Sequence, residues 1–309
     1  MFKLGFLFHD YQSAGSGISK HAPKKKGMAL FLDLLGRKFW RLAGLNLLYF
    51  MFFIPLMLIL PALAFIPSAG VALIVSALLV LTFMILIGPA TAGLTRVLRC
   101  YIVEKHAYVT RDFFRGFRGN FKNAAVVGFI DSLVAISAFA AMRVYPLLAS
   151  QLSVLMYIPL MLTYSLVILI VMMNYYIYLM MDATSLSLKN LIKNSLMLAF
   201  VAMKRNVVTT LLIVLIIAAL YPLLLFALPF FMTLLPFYPA AFIAFVACFR
   251  SYPVIQQYVI NPYYASIGQV NPELTGFADP EDEESVFEDK GGEEKPIESR
   301  KKGKGKRIS

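Results

Sequence analysis

Residues 207–249 read VVTTLLIVLIIAALYPLLLFALPFFMTLLPFYPAAFIAFVACF, which is 43 consecutive positions without a charged side chain. A single α-helix of this length would be about 65 Å long, roughly twice the thickness of the hydrocarbon core of a bilayer. The segment therefore has to fold back once, and Pro229, Pro236 and Pro239 mark the turn or a kink. The pattern predicts two membrane spans joined by a short connection.

The composition extends this prediction to the whole chain. Of the 309 residues, 60% are hydrophobic and 15% are charged, whereas an average soluble domain is about 25% charged. Other uncharged runs of about 18 residues or more recur, and buried helices of soluble proteins are rarely so long without a charge. The two cysteines are too few for a disulfide framework or a zinc site.

The apolar runs predict an all-α fold, a polytopic helical membrane protein with about six transmembrane helices. The first span is broken by Pro55 and Pro61, and the fourth is long enough to tilt or to bend at Pro159. An amphipathic stretch at 28–42 predicts an interfacial helix that leads into the first span. The predicted spans cover residues 43–65, 71–91, 124–142, 154–180, 207–228 and 231–249.

Lysine and arginine predict the orientation, because positive charge accumulates on the cytoplasmic side. With six spans and the N-terminus inside, the cytoplasmic segments hold 28 of the 29 basic residues, and Arg143 alone is left outside. An odd number of spans breaks this agreement. We therefore expect a multi-pass plasma membrane protein with both termini in the cytoplasm.

Three segments differ in composition. Residues 1–27 are polar and predict a flexible N-terminal tail, and residues 28–262 form the helical membrane domain. Residues 279–298 then carry ten acidic side chains, followed by the basic run RKKGKGKR. Blocks of like charge do not fold alone, so 263–309 predicts a disordered, charged cytoplasmic tail. It is either simply solvated or touches anionic lipid with its basic end.

The densest basic and aromatic segment is RDFFRGFRGNFKNA, residues 111–124, between the second and third spans. On a helical wheel its phenylalanines share one face and its basic residues a neighbouring face. The pattern is typical of an amphipathic elbow helix on an anionic inner leaflet. Nucleic-acid binding is not expected, because the orientation already explains the charge. The residues predicted to contact lipid are Phe113, Phe117, Phe121, Arg111, Arg115, Arg118 and Lys122.

Asp131 is the one acidic residue inside a predicted span, and it lies near the midplane of the third span. An ionisable residue at this depth is costly and marks a candidate functional site. The expected partners are polar residues of other spans, Asn46 and Asn174. Two readings stay open: coupling to a proton or cation, and a neutral, hydrogen-bonded side chain that fixes helix packing.

The motif GPATAG, residues 88–93, ends the second predicted span. Gly88 and Ala92 form a small-xxx-small pair, which allows close helix packing. The alternative is a hinge or substrate site at Gly88, Pro89, Ala92 and Gly93, because a Gly-Pro interruption can free backbone groups.

No sequence pattern supports catalysis. The chain has no metalloprotease, nucleophile-elbow, phosphate-loop or dinucleotide motif, and its three histidines lie outside the apolar runs. We therefore expect no enzyme activity and no cofactor.

The segments FLDLLGRKFWRLAGLNLLYF, GPATAGLTRVLR and RDFFRGFRGNFKNA, together with the proline-broken first span, resemble the YesL family. These are bacterial membrane proteins classed by a domain of unknown function, and the resemblance covers about residues 28–210. It implies a Gram-positive bacterium and a gene neighbourhood of sugar importers and sensor kinases, and it supplies no mechanism.

The sequence and this resemblance predict a protein that assists or performs solute transport, linked to carbohydrate uptake. The alternative is a membrane scaffold or regulator that does not transport and that binds a sugar permease or a sensor kinase through its cytoplasmic elbows.

Overall fold

The computed structural model describes residues 26–275, and over this range the chain is helical without a β-strand. The predicted all-α fold class is confirmed. Six helical segments are long and apolar enough to cross a membrane: Gly27–Phe65, Ala69–Ile102, Phe121–Gln151, Val154–Ala183, Met203–Phe226 and Pro239–Ser266. The predictions for residues 1–25 and 276–309, and so for most of both tails, lie outside the described residues.

The predicted interfacial helix and the first half of the first span form one continuous helix, α1 (Gly27–Phe50). Two short helices follow, α2 (Ile54–Met57) and α3 (Ile59–Phe65). Pro55 and Pro61 lie in their first turns, where a proline is tolerated because its missing N–H has no partner there. The first span is therefore broken where its prolines predict.

The second and third spans enclose the predicted elbow. Helix α4 (Ala69–Ile102) continues about three turns beyond its predicted end, and α5 (Val109–Gly119) packs along it. Asn120 alone separates α5 from α6 (Phe121–Gln151), so the elbow turns directly into the third span.

The order of long, short and long helix recurs in α7 (Tyr157–Ala183), α8 (Leu188–Val201) and α9 (Met203–Phe226). Helix α8 packs on α7 as α5 packs on α4. Pro159 lies in the first turn of α7, so the fourth span begins near this proline and is not bent by it.

The sixth span is discontinuous. A short helix, α10 (Leu228–Leu234), precedes α11 (Pro239–Ile255), so the long helix begins about two turns later than predicted. A π-helical segment, Gln256–Ile260, joins α11 to α12 (Asn261–Ser266). The described chain ends in α13 (Pro272–Thr275). Helical structure thus extends beyond residue 262, where the tail was predicted to begin.

The two ends of the bundle differ in character. All described lysines and arginines except Arg143 lie toward the end formed by the start of α1 and the end of α4, which we call the basic end. Large, fully buried side chains concentrate there, among them Tyr101, Phe113, Tyr176, Leu191 and Tyr252. The opposite, apolar end exposes large hydrophobic side chains, as expected for helices that face lipid.

Candidate functional site

A cavity of about 620 Å³ lies among α4, α6 and α7, with contributions from α2 and α11. Its volume falls within the roughly 300–1,000 Å³ of typical small-molecule sites. Most of its lining is apolar, as the side chains Val80, Phe83, Met84, Ile87 and Val171 illustrate. The polar side chains that line it are Thr91, Thr95, Asp131, Ser132, Asn174, Tyr175 and Tyr178.

Asp131 of α6 is bound by two neutral donors of α7. Asn174 Nδ2 donates to Asp131 Oδ1 at 2.9 Å, and Tyr178 Oη donates to Asp131 Oδ2 at 3.1 Å. No lysine, arginine or histidine between residues 26 and 275 forms an ion pair with this carboxyl group. Each carboxyl oxygen keeps unused acceptor capacity, so the group can take a proton, a cation or a hydroxyl donor.

Two further hydroxyl groups of the cavity lining donate to the backbone. Ser132 Oγ donates to the Gly128 carbonyl at 2.7 Å, and Thr91 Oγ1 donates to the Ile87 carbonyl at 2.8 Å. Thr91 Oγ1 also lies 3.1 Å from Tyr49 Oη. The Asp131 carboxyl group, by contrast, keeps acceptor capacity on both oxygens.

Two glycines bring α4 and α6 together beside the cavity. A Cβ atom added at Gly88 would lie 1.9 Å from the Ala124 carbonyl oxygen, and one at Gly128 would lie 2.4 Å from Gly88 Cα. Gly128 precedes Asp131 by one helical turn, so this contact sets how closely α6 can carry the carboxyl group toward α4.

The rest of the GPATAG motif packs against the elbow. A Cβ atom at Gly93 would lie 2.7 Å from the Phe113 carbonyl oxygen, and one at Gly116 would lie 3.0 Å from the Ala92 carbonyl oxygen. Helix α4 runs without interruption through Pro89. The motif therefore packs on α5 and α6, and no helix break accompanies it.

Asn46 was predicted to partner Asp131, and this prediction is wrong. Asn46 is fully buried on α1, where its Nδ2 donates to the carbonyl groups of Leu235 and Pro236 at 3.1 and 2.8 Å. Its Oδ1 accepts from the Ala241 amide at 2.7 Å. These are backbone groups freed by the break between α10 and α11, and in an apolar environment such groups require a partner. Asn46 thus stabilises the discontinuous sixth span.

The elbow contacts protein more than was predicted. Phe113 is fully buried, and its ring lies 5.8 Å from that of Phe52, so the prediction that it contacts lipid is wrong. Phe117 is half-buried against Phe52 at 5.2 Å, whereas Phe121 is exposed. The physical reason is that an apolar helix face is equally compatible with lipid and with a neighbouring helix. The four basic residues predicted with them, Arg111, Arg115, Arg118 and Lys122, are exposed.

A second polar cluster, which we call the ion cluster, lies at the basic end. Asp182, whose side chain is 1% exposed, accepts from Arg96 at 2.7 Å and from Arg99 at 2.8 Å. Arg99 also pairs with Glu273 at 3.1 Å, and Tyr252 donates to the other oxygen of Glu273. The cluster thus joins α4, α7, α11 and α13.

The ion cluster was not predicted from the sequence. Arg96 and Arg99 are one helical turn apart, which places them on one face of α4, but their charges were already explained by orientation. Asp182 lies two residues beyond the predicted end of the fourth span, at residue 180. As for metals, the described chain contains no group of three or more His, Cys, Asp or Glu side chains placed to hold an ion.

A comparison with protein-family models finds one described as "Protein of unknown function, DUF624", which matches residues 42–141, about a third of the chain. This segment contains Asn46, the GPATAG motif, the elbow and Asp131. Neither the curated proteins nor the solved structures include a significant match to the chain. The similarity therefore covers the α4 and α6 walls of the cavity and leaves out α7, which donates to Asp131.

Proposed function

We propose that this chain is a YesL-like protein of the bacterial plasma membrane that assists or performs solute transport linked to carbohydrate uptake. The match of residues 42–141 supports the family. The link to carbohydrate rests only on the resemblance of residues 28–210. Asp131 is the residue in which we place the transport chemistry.

The observation that carries the proposal is a carboxyl group without a counter-ion beside a cavity among apolar helices. A purely structural aspartate in such a setting is expected to be fully enclosed, whereas Asp131 is half-buried and lines the cavity. The mostly apolar lining suits a proton or cation better than a whole sugar. Asp131 would therefore couple an ion gradient to movement of a solute, either through this chain or through a partner permease.

Proton flux into liposomes tests this function. Purified protein is reconstituted with an internal pH-sensitive dye and exposed to a pH gradient, with and without a panel of hexoses and disaccharides. We expect flux above that of empty liposomes, which Asp131→Asn abolishes and Ser132→Ala retains. Ser132 lines the same cavity, and its hydroxyl donates to the backbone. Flux that is unchanged in Asp131→Asn contradicts the assignment.

The second candidate is a scaffold or regulator that does not transport. Its supporting observation is the exposed basic face of α5, where Arg111, Arg115 and Arg118 lie beside phenylalanines of which Phe113 is buried. Such a face can bind an acidic surface of a permease or a sensor kinase. Co-purification of a permease, lost when these arginines become Gln and retained when Lys189 and Lys193 of α8 do, would favour this function, provided that liposomes show no flux.

The proposed orientation, with both termini in the cytoplasm, has its own test. Single cysteines are introduced at Ser68, Ser150 or Thr110, all exposed, in a background without Cys100 and Cys248. Impermeant thiol reagents applied to intact cells should label the first two positions and spare the third. Labelling of position 110 alone would show that the protein has the opposite orientation.

A further inference from the structure

A second and larger cavity, of about 1210 Å³, opens at the basic end between α1, α9 and α11. Helix α11 packs against both α1 and α9 and contributes the largest share of the lining. The volume of the cavity exceeds the roughly 300–1,000 Å³ of typical small-molecule sites. We call this cavity the basal groove.

The basal groove changes character along the helix axes. Arg205 lies in the first turn of α9, and the apolar residues of α9 follow about 10 and 16 Å farther toward the apolar end. Helix α11 runs in the opposite direction and reaches Arg250 after its own apolar residues. The two arginines therefore lie at the same depth, on the basic-end side of the apolar lining. This lining is made of Leu212, Ile216, Phe242, Val246 and Phe249.

The two arginines have no acidic partner among residues 26–275. Arg250 Nε donates to Thr209 Oγ1 at 2.8 Å, which orients the guanidinium group and leaves its terminal nitrogens for another acceptor. Arg205 lies one helical turn before Thr209 on α9 and lines the same groove, so the two like charges repel each other. An anion between them would relieve this repulsion.

The acidic residues of the groove do not supply that anion. Glu104 pairs with Arg37 at 2.7 Å, and Glu273 pairs with Arg99 at 3.1 Å. Tyr252 also donates to Glu273. Both carboxylates are therefore committed to partners other than Arg205 and Arg250.

We propose that the basal groove binds an anionic phospholipid, with its phosphate between Arg205 and Arg250 and an acyl chain along the apolar lining. A guanidinium group matches the geometry of phosphate oxygens and forms two parallel hydrogen bonds with them. A water-soluble phosphate compound would leave the apolar lining uncovered, and only a lipid satisfies both parts of the groove. This site is separate from the Asp131 cavity and does not depend on whether the chain transports.

Native mass spectrometry of the full chain in mild detergent tests the proposal. The protein is titrated with phosphatidylglycerol and with phosphatidylcholine of the same acyl chains, and we expect tighter binding of the anionic lipid. Arg205→Gln and Arg250→Gln should each weaken that binding about 5-fold, and the double variant about 30-fold. These values are those expected for basic side chains at an anionic lipid surface. Lys189→Gln with Lys193→Gln on α8, an equal change of charge, should leave it unaltered.

Several results would overturn the lipid assignment. Equal affinity for the two lipids, or an equal loss in the α8 control, would remove the role of the arginines. Glycerol phosphate that competes as well as the lipid would assign the groove to a soluble anion. If the lipid binds only after deletion of residues 276–309, the groove is assigned to the acidic segment of the chain. If the lipid is lost when the protein dimerises, the groove is assigned to a second copy. Arg205 is exposed, so its single variant should fold and keep the test decisive.

Discussion

Asp131 and Asp182 are both acidic side chains of long helices, and both bind groups on neighbouring helices, but their partners differ in charge. Asp182 lies between two arginines of α4 and is almost completely enclosed. Asp131 accepts from an amide and a phenol of α7 and lines a cavity. The same side chain thus occurs once in an ion cluster and once without a counter-ion.

This difference is why we propose a functional role for Asp131 and a structural one for Asp182. A carboxylate fixed between two guanidinium groups compensates fixed charges, and its removal would leave the two arginines without their shared partner. A carboxyl group with neutral donors can change its protonation state without leaving a fixed charge uncompensated. Under the proposed function Asp131 responds to an ion gradient, whereas the ion pairs of Asp182 join α7 to α4.

The largest expected effect is that of Asp182→Ala. It leaves Arg96 and Arg99 without their shared partner and should lower the free energy of unfolding by about 3–5 kcal/mol. Asp131→Ala leaves two neutral donors without an acceptor and should lower the free energy of unfolding by about 1–3 kcal/mol. Denaturant titration in mild detergent measures both. If Asp131→Ala is the more damaging change, the distinction between the two aspartates fails.

The next effect concerns the contact that positions Asp131. Gly128→Ala places a Cβ atom against the backbone of Gly88, which cannot rotate away, and should destabilise the protein by about 1–3 kcal/mol. Gly44→Ala is the matched control, because a Cβ atom there meets open space and should stabilise α1 by up to about 1 kcal/mol. Equal unfolding midpoints for the two variants would show that α4 and α6 do not need this close approach.

A smaller effect is expected for Tyr178→Phe, which removes one of the two donors to Asp131 and should cost about 1 kcal/mol. Tyr175→Phe is the control, since Tyr175 Oη pairs with Thr210 Oγ1 at 2.9 Å and not with Asp131. The two variants should lose similar stability, but Tyr178→Phe alone should change proton flux. Matching flux in both would remove Tyr178 from the site.

The features that could be predicted from the sequence depend on local composition. Uncharged runs of span length give the six long helices, and Pro55, Pro61 and Pro239 lie at helix starts because proline has no N–H to contribute. Asp131 was found because a lone acidic residue in an apolar run is conspicuous. Its contact with Asn174 follows from the scarcity of polar partners in the spans.

The features that were missed depend on which helices are neighbours. Asn46 binds the break between α10 and α11. Its position in the sequence does not show that this break, and not Asp131, lies beside it. Phe113 faces Phe52 because α5 folds against protein, which an amphipathic pattern cannot distinguish from folding against lipid. Asp182 lies within α7 because this helix extends beyond its predicted end.

The smallest expected effect on stability is that of Asp131→Asn. The variant keeps the shape of the side chain, and its partners can adapt, because the Tyr178 hydroxyl can rotate to accept and the Asn174 amide can turn its oxygen toward the new donor. The free energy of unfolding should change by less than about 1 kcal/mol, while proton flux is lost. Asp131→Leu lacks every polar atom and leaves both partners unpaired, so it should lose stability as well as flux. A packing role predicts full function in Asn and a loss in Leu, and full stability and flux in both variants would exclude coupling and packing alike.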